Sequence, residues 1–290
     1  MSATPAIATE GRRTRAGALT RGLGWLRRNA IKIYVGCAIA YLLLPIAVNI
    51  AFSFNEPTGR YNLTWGGFSA DAWVHAFSIP PLTEALVTSL KLAALSSLAA
   101  TALGTAMALA LVRHRFFGRR LANLLVIVPM TSPEIVIGSA LLSFFLIVGV
   151  ALGFQTLALA HIMFSISFAT IVVRSRLVGF DRSLEDAASD LGAGPFATFR
   201  LVTLPLITPG VAGAAFLCFV LSLDDFVVSN FNSGTTLTFP LYVFGASQRG
   251  IPVQVNVIAT ILFTSTLLVG LLGVLIGGRR RRASAAGARV

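Results

Sequence analysis

The chain has 290 residues, is 56% hydrophobic and only 12% charged, and has a mean hydropathy of +0.82. A soluble domain carries about twice that charge, so most of this surface faces lipid rather than water. The formal net charge of +12 comes from basic clusters set between apolar runs, which fits the anionic face of a bilayer and excludes nucleic acid as the partner.

The first element is a basic tail over residues 1–30, with Arg12, Arg13, Arg15, Arg21, Arg27 and Arg28, and an Ala/Gly/Arg-rich composition over 1–20 that predicts disorder. An apolar run over about 33–53 follows, too long for a signal peptide core, and predicts an uncleaved first span. Residues 55–85 hold Pro57, Trp65, Trp73, Pro80 and Pro81, a turn-rich segment whose tryptophans suit the headgroup level. The second span is predicted over 86–112 and ends on Arg113, Arg115, Arg119 and Arg120.

The run 121–173 is too long for one crossing. It divides into spans 121–148 and 153–173 around Gly149 to Gln155, where two glycines allow a tight turn. Glu134 follows Pro133 about 20 Å into the third span. A charge at that depth costs roughly 2.5–3.5 kcal/mol in lipid, so it faces either a polar pathway or a partner on a neighbouring helix. His161 in the fourth span reads as a packed, hydrogen-bonded residue.

The loop 174–205 contains Arg174, Arg176, Arg182 and Arg200. Ser183 with Asp186 has the spacing of a capping box, Gly192 can end a helix in the left-handed conformation, and Pro195 suits the first position of a second short helix. Ala187, Ala188 and Leu191 form a narrow apolar stripe. Physics alone leaves open an ordinary amphipathic linker or a docking element.

The fifth span is predicted over 206–229 and carries Asp224 and Asp225 about 27 Å from its start, near the far end. Adjacent helical residues point about 100° apart, so the two acids cannot line one strip. They fit either the mouth of a cation pathway or a solvated pair. The sixth span, over 255–277, leads to a basic tail, 279–290. In all, 20 of the 23 basic residues fall in four groups separated by two crossings each, which places both termini in the cytoplasm. The domain of six spans runs over 31–278.

Cys37 and Cys218 lie within apolar runs and propose no disulfide, and the three histidines are too dispersed for a metal site. Neither Lys32 nor Lys91 follows the glycine pattern of a phosphate-binding loop, and no hydrolase motif occurs. The chain is expected to be no enzyme and to bind no cofactor.

Asp186-Ala187-Ala188, three residues, Gly192, nine residues, Val202, then Leu204-Pro205 resembles the E-A-A-x3-G-x9-I-x-L-P loop of ABC importer permeases, with Asp186 for Glu, Glu185 just before it, and Val202 for Ile. The resemblance covers nearly all of the chain after residue 30. It implies an all-α type I importer permease fold with six transmembrane helices, a loop whose Ser183, Glu185, Asp186, Ala187, Ala188, Leu191 and Gly192 dock on an ABC ATPase, and ATP and Mg on that partner. Further implied partners are a second, different permease and an extracytoplasmic solute-binding protein, in the inner membrane of a bacterium. Ser132-Pro133-Glu134-Ile135-Val136, Leu221 to Ser229, and Asn256 with Ala259-Thr260 resemble the spermidine/putrescine permeases, which makes Glu134, Asp224 and Asp225 candidates for meeting a polycation. Val253-Gln254 stands where that subfamily commonly has Pro-Glu. The rival reading is a stand-alone ion-coupled carrier using Glu134 as a proton site.

Overall fold

The computed structural model describes residues 10–179 and 181–287. Its regular elements are helices: α1 (Glu10–Phe52), α2 (Asp71–Val74), α3 (Pro80–Arg113), α4 (Arg119–Thr131), α5 (Glu134–Val148), α6 (Phe154–Val178), α7 (Ser183–Asp190), α8 (Pro195–Thr198), a π-helical turn (Phe199–Thr203), α9 (Leu204–Asp224), α10 (Val227–Asn232), α11 (Phe239–Arg249) and α12 (Val253–Gly287). Five of them are long and apolar enough to cross a bilayer, and α4 with α5 pass the same test as one span bent by 112°.

The core is the packing of α3, α6 and α9. Small residues make it possible, because lipid tails are as apolar as leucine and helix association in a bilayer depends on close contact rather than on escape from water. On α3, Ser89, Ala93, Ser96, Ala100, Gly104 and Ala108 form a buried seam. Gly104 is its tightest point: a Cβ there would lie 2.6 Å from Ala169 Cβ and 2.9 Å from the Thr170 nitrogen. Ala169, Val173, Leu177, Ile207, Ala214 and Cys218 complete the cluster from α6 and α9. Hydroxyls buried here bond inward, as Ser96 Oγ does to the Leu92 carbonyl at 2.7 Å and Thr170 Oγ1 to Ile166 at 2.7 Å.

α1 lies outside this core. None of its apolar stretch is buried, and it meets α12 through amides. Asn256 Nδ2 donates to Asn49 Oδ1 at 2.9 Å, Asn62 Nδ2 to Asn256 Oδ1 at 3.2 Å, and Asn55 Nδ2 to Asn62 Oδ1 at 2.6 Å. This chain of asparagines ties α1, the 53–70 segment and α12 together. Nearby, Phe54 stacks on Phe68 and Trp73, and Trp73 Nε1 donates to Ser53 Oγ at 3.2 Å.

Three sequence expectations are corrected. The stretch 121–148 is not one straight crossing: Pro133 has no N–H to continue α4, Ser132 is extended, and the chain restarts as α5 with Glu134 in its first turn. The stretch 206–229 ends as α9 at Asp224, with Asp225 extended and α10 beginning at Val227. α6 runs on to Val178, into the predicted loop 174–205, and a short helix begins at Pro195 as expected. The N-terminal stretch 1–20, read as disordered, is helical from Glu10, and the basic C-terminal tail is helical up to Gly287; residues 1–9 and 288–290 lie outside the described residues. Alanine and arginine favour a helix wherever the adjoining span nucleates one.

Candidate functional site

The loop between α6 and α9 is built as follows. Ser183 is the first helical residue of α7 and not its cap; its N–H donates to Asp181 Oδ1 at 3.0 Å. Asp181, two residues upstream, therefore does what the capping box assigned to Ser183 with Asp186. Bonds from the Ser183 backbone and hydroxyl hold the exposed Asp181 carboxyl below the usual carboxylate range. Gly192 ends α7 with φ +86°, while its N–H reaches the Ser189 carbonyl at 2.9 Å and Ala193 N–H the Ala188 carbonyl at 3.0 Å. This double closure is the left-handed helix stop expected from the sequence.

α7 has no buried residue. Leu184 and Leu191 are 47% and 89% exposed and Phe196 74%, so with Ala187 and Ala188 the stripe forms an open apolar face, and Asp186 is also exposed. Glu185 points the other way. Its Oε1 accepts from Arg113 Nη2 at 3.1 Å and from Thr203 Oγ1 at 2.7 Å, and its Oε2 lies 3.1 Å from Arg113. Among the described residues, the side-chain bonds from α7 to other helices all end on Glu185. Thr203 closes the π turn, and Leu204 N–H reaches back five residues to the Phe199 carbonyl. Pro205 just beyond cannot donate to an α-helical carbonyl, and the wider turn absorbs the misfit. Leu204 itself packs against the α3–α6–α9 core.

The two broken spans form the second region. Glu134 is exposed at the break before α5, and Asp224 is the last residue of α9 at the second break. α5 packs on α10 through Gly138 against the Phe231 ring, and Asn232 Nδ2 donates to the Gly138 carbonyl at 3.2 Å. Asp224 and Asp225 part company, as their helical spacing requires. Asp224 is the one acidic side chain on the wall of a cleft of about 620 Å³ between α9, α11 and α12, where Phe226, Phe239, Phe244 and Phe263 supply rings. Asp225 turns inward, its side chain 8% exposed, and caps α10: its carboxylate accepts from Val228 N–H at 3.3 Å and Ser229 N–H at 2.8 Å. His161 Nε2 lies 3.3 Å from Asp225 Oδ2. The structure thus sets Asp224 on the cleft wall, leaves Glu134 outside that lining, and gives Asp225 an internal partner that the sequence did not name.

Sequence reasoning missed Arg113 and the asparagine chain; it read His161 as packed and hydrogen-bonded, as it is, but did not name its partners. A histidine inside an apolar run, in a chain that also carries an Asp-Asp pair, was the available signal for the internal pair. Among the described residues no group of three or more His, Cys, Asp or Glu side chains is placed to hold a metal ion.

A bundle with broken spans and an exposed interhelical hairpin at its basic end is the architecture of an ABC importer permease. Solved structures agree: the chain aligns with a bacterial ABC transporter importing the acidic polysaccharide alginate (TM-score 0.66, 17% identity, 89% of this chain and 99% of that one) and with the inward-facing MetNI methionine ABC transporter (TM-score 0.56, 18% identity, 68% and 97%). Residues 100–282 match the family described as the binding-protein-dependent transport system inner membrane component, and the chain belongs to that family. It is 38% identical over 250 residues to the spermidine/putrescine transport system permease protein PotC of Haemophilus influenzae, covering 86% of this chain and 95% of that one. To the putrescine transport system permease protein PotI of Escherichia coli K12 it is 33% identical over 240 residues, covering 80% and 85%. The chain is a multi-pass membrane protein of this transport class.

Proposed function

We propose that this chain is the translocation subunit of an ATP-driven importer for a polyamine such as spermidine or putrescine, or a related organic cation. The observation that carries the solute class is Asp224, a single carboxylate among phenyl rings in a mostly apolar cleft that Ser247 and Thr266 also line. A polyamine alternates ammonium groups with methylenes; the acid neutralises the first and the rings contact both, through cation–π attraction and simple burial. Glu134, exposed at the break before α5, offers a second negative point for a second ammonium.

In this reading the basic loops face the cytoplasm of a bacterium, and the open face of Leu184, Ala187, Ala188 and Leu191 docks in a groove of an ABC ATPase. ATP and Mg belong to that partner, and this chain binds no cofactor. A second, different permease and an extracytoplasmic solute-binding protein complete the assembly. Closure of the ATPases moves α7, the spans rearrange, and the solute passes inward. Membership of a binding-protein-dependent family favours this over a stand-alone carrier protonated at Glu134.

The test is reconstitution of the detergent-purified assembly. Uptake of labelled spermidine that needs ATP and a co-purifying ATPase supports the reading, whereas uptake driven by a proton gradient alone refutes it. Two variants sharpen it. Asp224→Asn removes the charge without altering shape and is expected to raise the KM for spermidine about tenfold or more, measured as initial uptake rate against solute concentration. Gly192→Val meets nothing within 4 Å of the added Cβ, so its penalty is the left-handed φ alone, about 1–2 kcal/mol. It is expected to lower uptake several-fold with membrane insertion intact, and Gly192→Asn, which tolerates that φ, to lose less.

A further inference from the structure

His161 is buried to 3% exposure in the middle of α6, yet it is bonded on both ring nitrogens. Its Nδ1 lies 2.7 Å from Ser222 Oγ; its Nε2 lies 3.0 Å from Ser229 Oγ and 3.3 Å from Asp225 Oδ2. These three residues share one structural property. Ser222 is in the last turn of α9, Asp225 is the extended residue at the break, and Ser229 is in the first turn of α10. One imidazole therefore touches the chain before, at and after the interruption. Ser96 of α3 extends the network, its Oγ 2.9 Å from that of Ser222.

Breaking a helix within a span leaves backbone groups without partners, a cost of several kcal/mol each in hydrocarbon unless something satisfies them. Asp225 satisfies two of them by capping α10, and His161 holds the Asp225 carboxylate where it can do so. The residue whose direction this fixes is Asp224, the last of α9. Were the break to close into continuous helix, Asp224 would keep its place in the chain, but the α10 and α11 side of the cleft, with Phe226 and Phe239, would be redirected relative to it.

We propose that His161 is a positioning residue for solute: it holds the α9–α10 break in the geometry that sets Asp224 against the aromatic wall, and acts on the cation only through Asp225 and the break. This rests on the reading of Asp224 as the cation's carboxylate. A purely structural histidine would lower the yield of folded protein or the maximal rate; a positioning histidine changes the affinity for solute.

The experiment measures spermidine uptake by the reconstituted full assembly as a function of solute concentration. His161→Phe, which keeps a ring and removes both nitrogens, is expected to raise KM about tenfold, and His161→Gln, which retains an amide donor and acceptor, to recover most of that. Combining His161→Phe with Asp224→Asn is expected to add little to the KM of Asp224→Asn alone, because the two act through one contact. A wild-type KM in His161→Phe, with only the yield or maximal rate reduced, overturns the proposal, as does full additivity. If Asp224→Asn raises KM and His161→Phe does not, the positioning role fails and the reading of Asp224 stands. If His161→Phe raises KM and Asp224→Asn does not, Asp224 is not the cation's ligand and the aiming role falls with it. Should His161→Phe fail to reach the membrane, Ser229→Ala, which removes one hydroxyl at Nε2, is expected to raise KM about threefold, and an unchanged KM overturns the proposal.

Discussion

Glu185→Ala is expected to abolish most ATP-driven uptake while the spans still fold. In the importer proposed above, α7 takes the thrust of the ATPase, and a thrust is useful only if it is passed on. α7 has no buried residue to pass it by packing. Glu185 bridges to Arg113 at the end of α3 and to Thr203 in the π turn that feeds α9, so one carboxylate joins the hairpin to two of the three core helices. Losing one member of a fully buried pair costs roughly 3–5 kcal/mol. With Arg113 12% and Glu185 20% exposed, about 2 kcal/mol is the appropriate size here. That is small against the packing of the spans but enough to loosen the joint. Solute moved per ATP hydrolysed, measured in the same vesicles, is expected to fall about tenfold or more, with Glu185→Asp intermediate because its carboxylate is one methylene short. The exchange Glu185→Arg with Arg113→Glu is expected to recover part of the loss. A wild-type ratio in Glu185→Ala would show that the thrust travels by another route.

Gly104→Leu is expected to prevent assembly of the bundle altogether. Even a Cβ at Gly104 falls 2.6 Å from Ala169 Cβ and 2.9 Å from the Thr170 backbone nitrogen, and backbone cannot rotate aside as a side chain can. Overpacking a core typically costs 1–3 kcal/mol, with more expected where the obstacle is main chain, roughly 3 kcal/mol or above. The α3–α6 contact is the one on which α9 also rests, so its separation exposes Ser96, Thr101 and Thr170 together. Full-length protein extractable as a single species is expected to be lost. Gly36→Leu, on the exposed face of α1 with nothing within 4 Å, is the matched control and is expected to extract normally.

The helical class and the turn of the α7–α8 hairpin were legible because they rest on local signals. Long apolar runs mark the spans, and Gly192 declares its own φ. The breaks were half legible. Pro133 and the Asp224-Asp225 pair stood out but were read within continuous spans, whereas the missing N–H of Pro133 and the extended Ser132 break the first of them with a bend of 112°. What could not be read were partners distant in sequence. Glu185 meets Arg113 across 72 positions, and His161 meets Ser222 and Ser229 across 61 and 68. Their pairing follows from the α3–α6–α9 packing, which no local pattern encodes. The capping box failed for a local reason: Ser183 and Asp186 had the spacing, but Asp181, two residues upstream, takes the Ser183 N–H.

The asparagine chain makes α1 a pivoted rod. Hydrocarbon offers α1 nearly what a neighbouring helix would, so lateral contact with protein holds it weakly. The amide bonds from Asn49 to Asn256 and onward to Asn62 and Asn55 act at a single point close to one end. A small rotation there becomes a displacement of many ångströms further along, at Asn29, about 30 Å away along the axis. The corner formed by α1, the 53–70 segment and α12 therefore fixes one end of α1, while residues 29–52 bury nothing in the core.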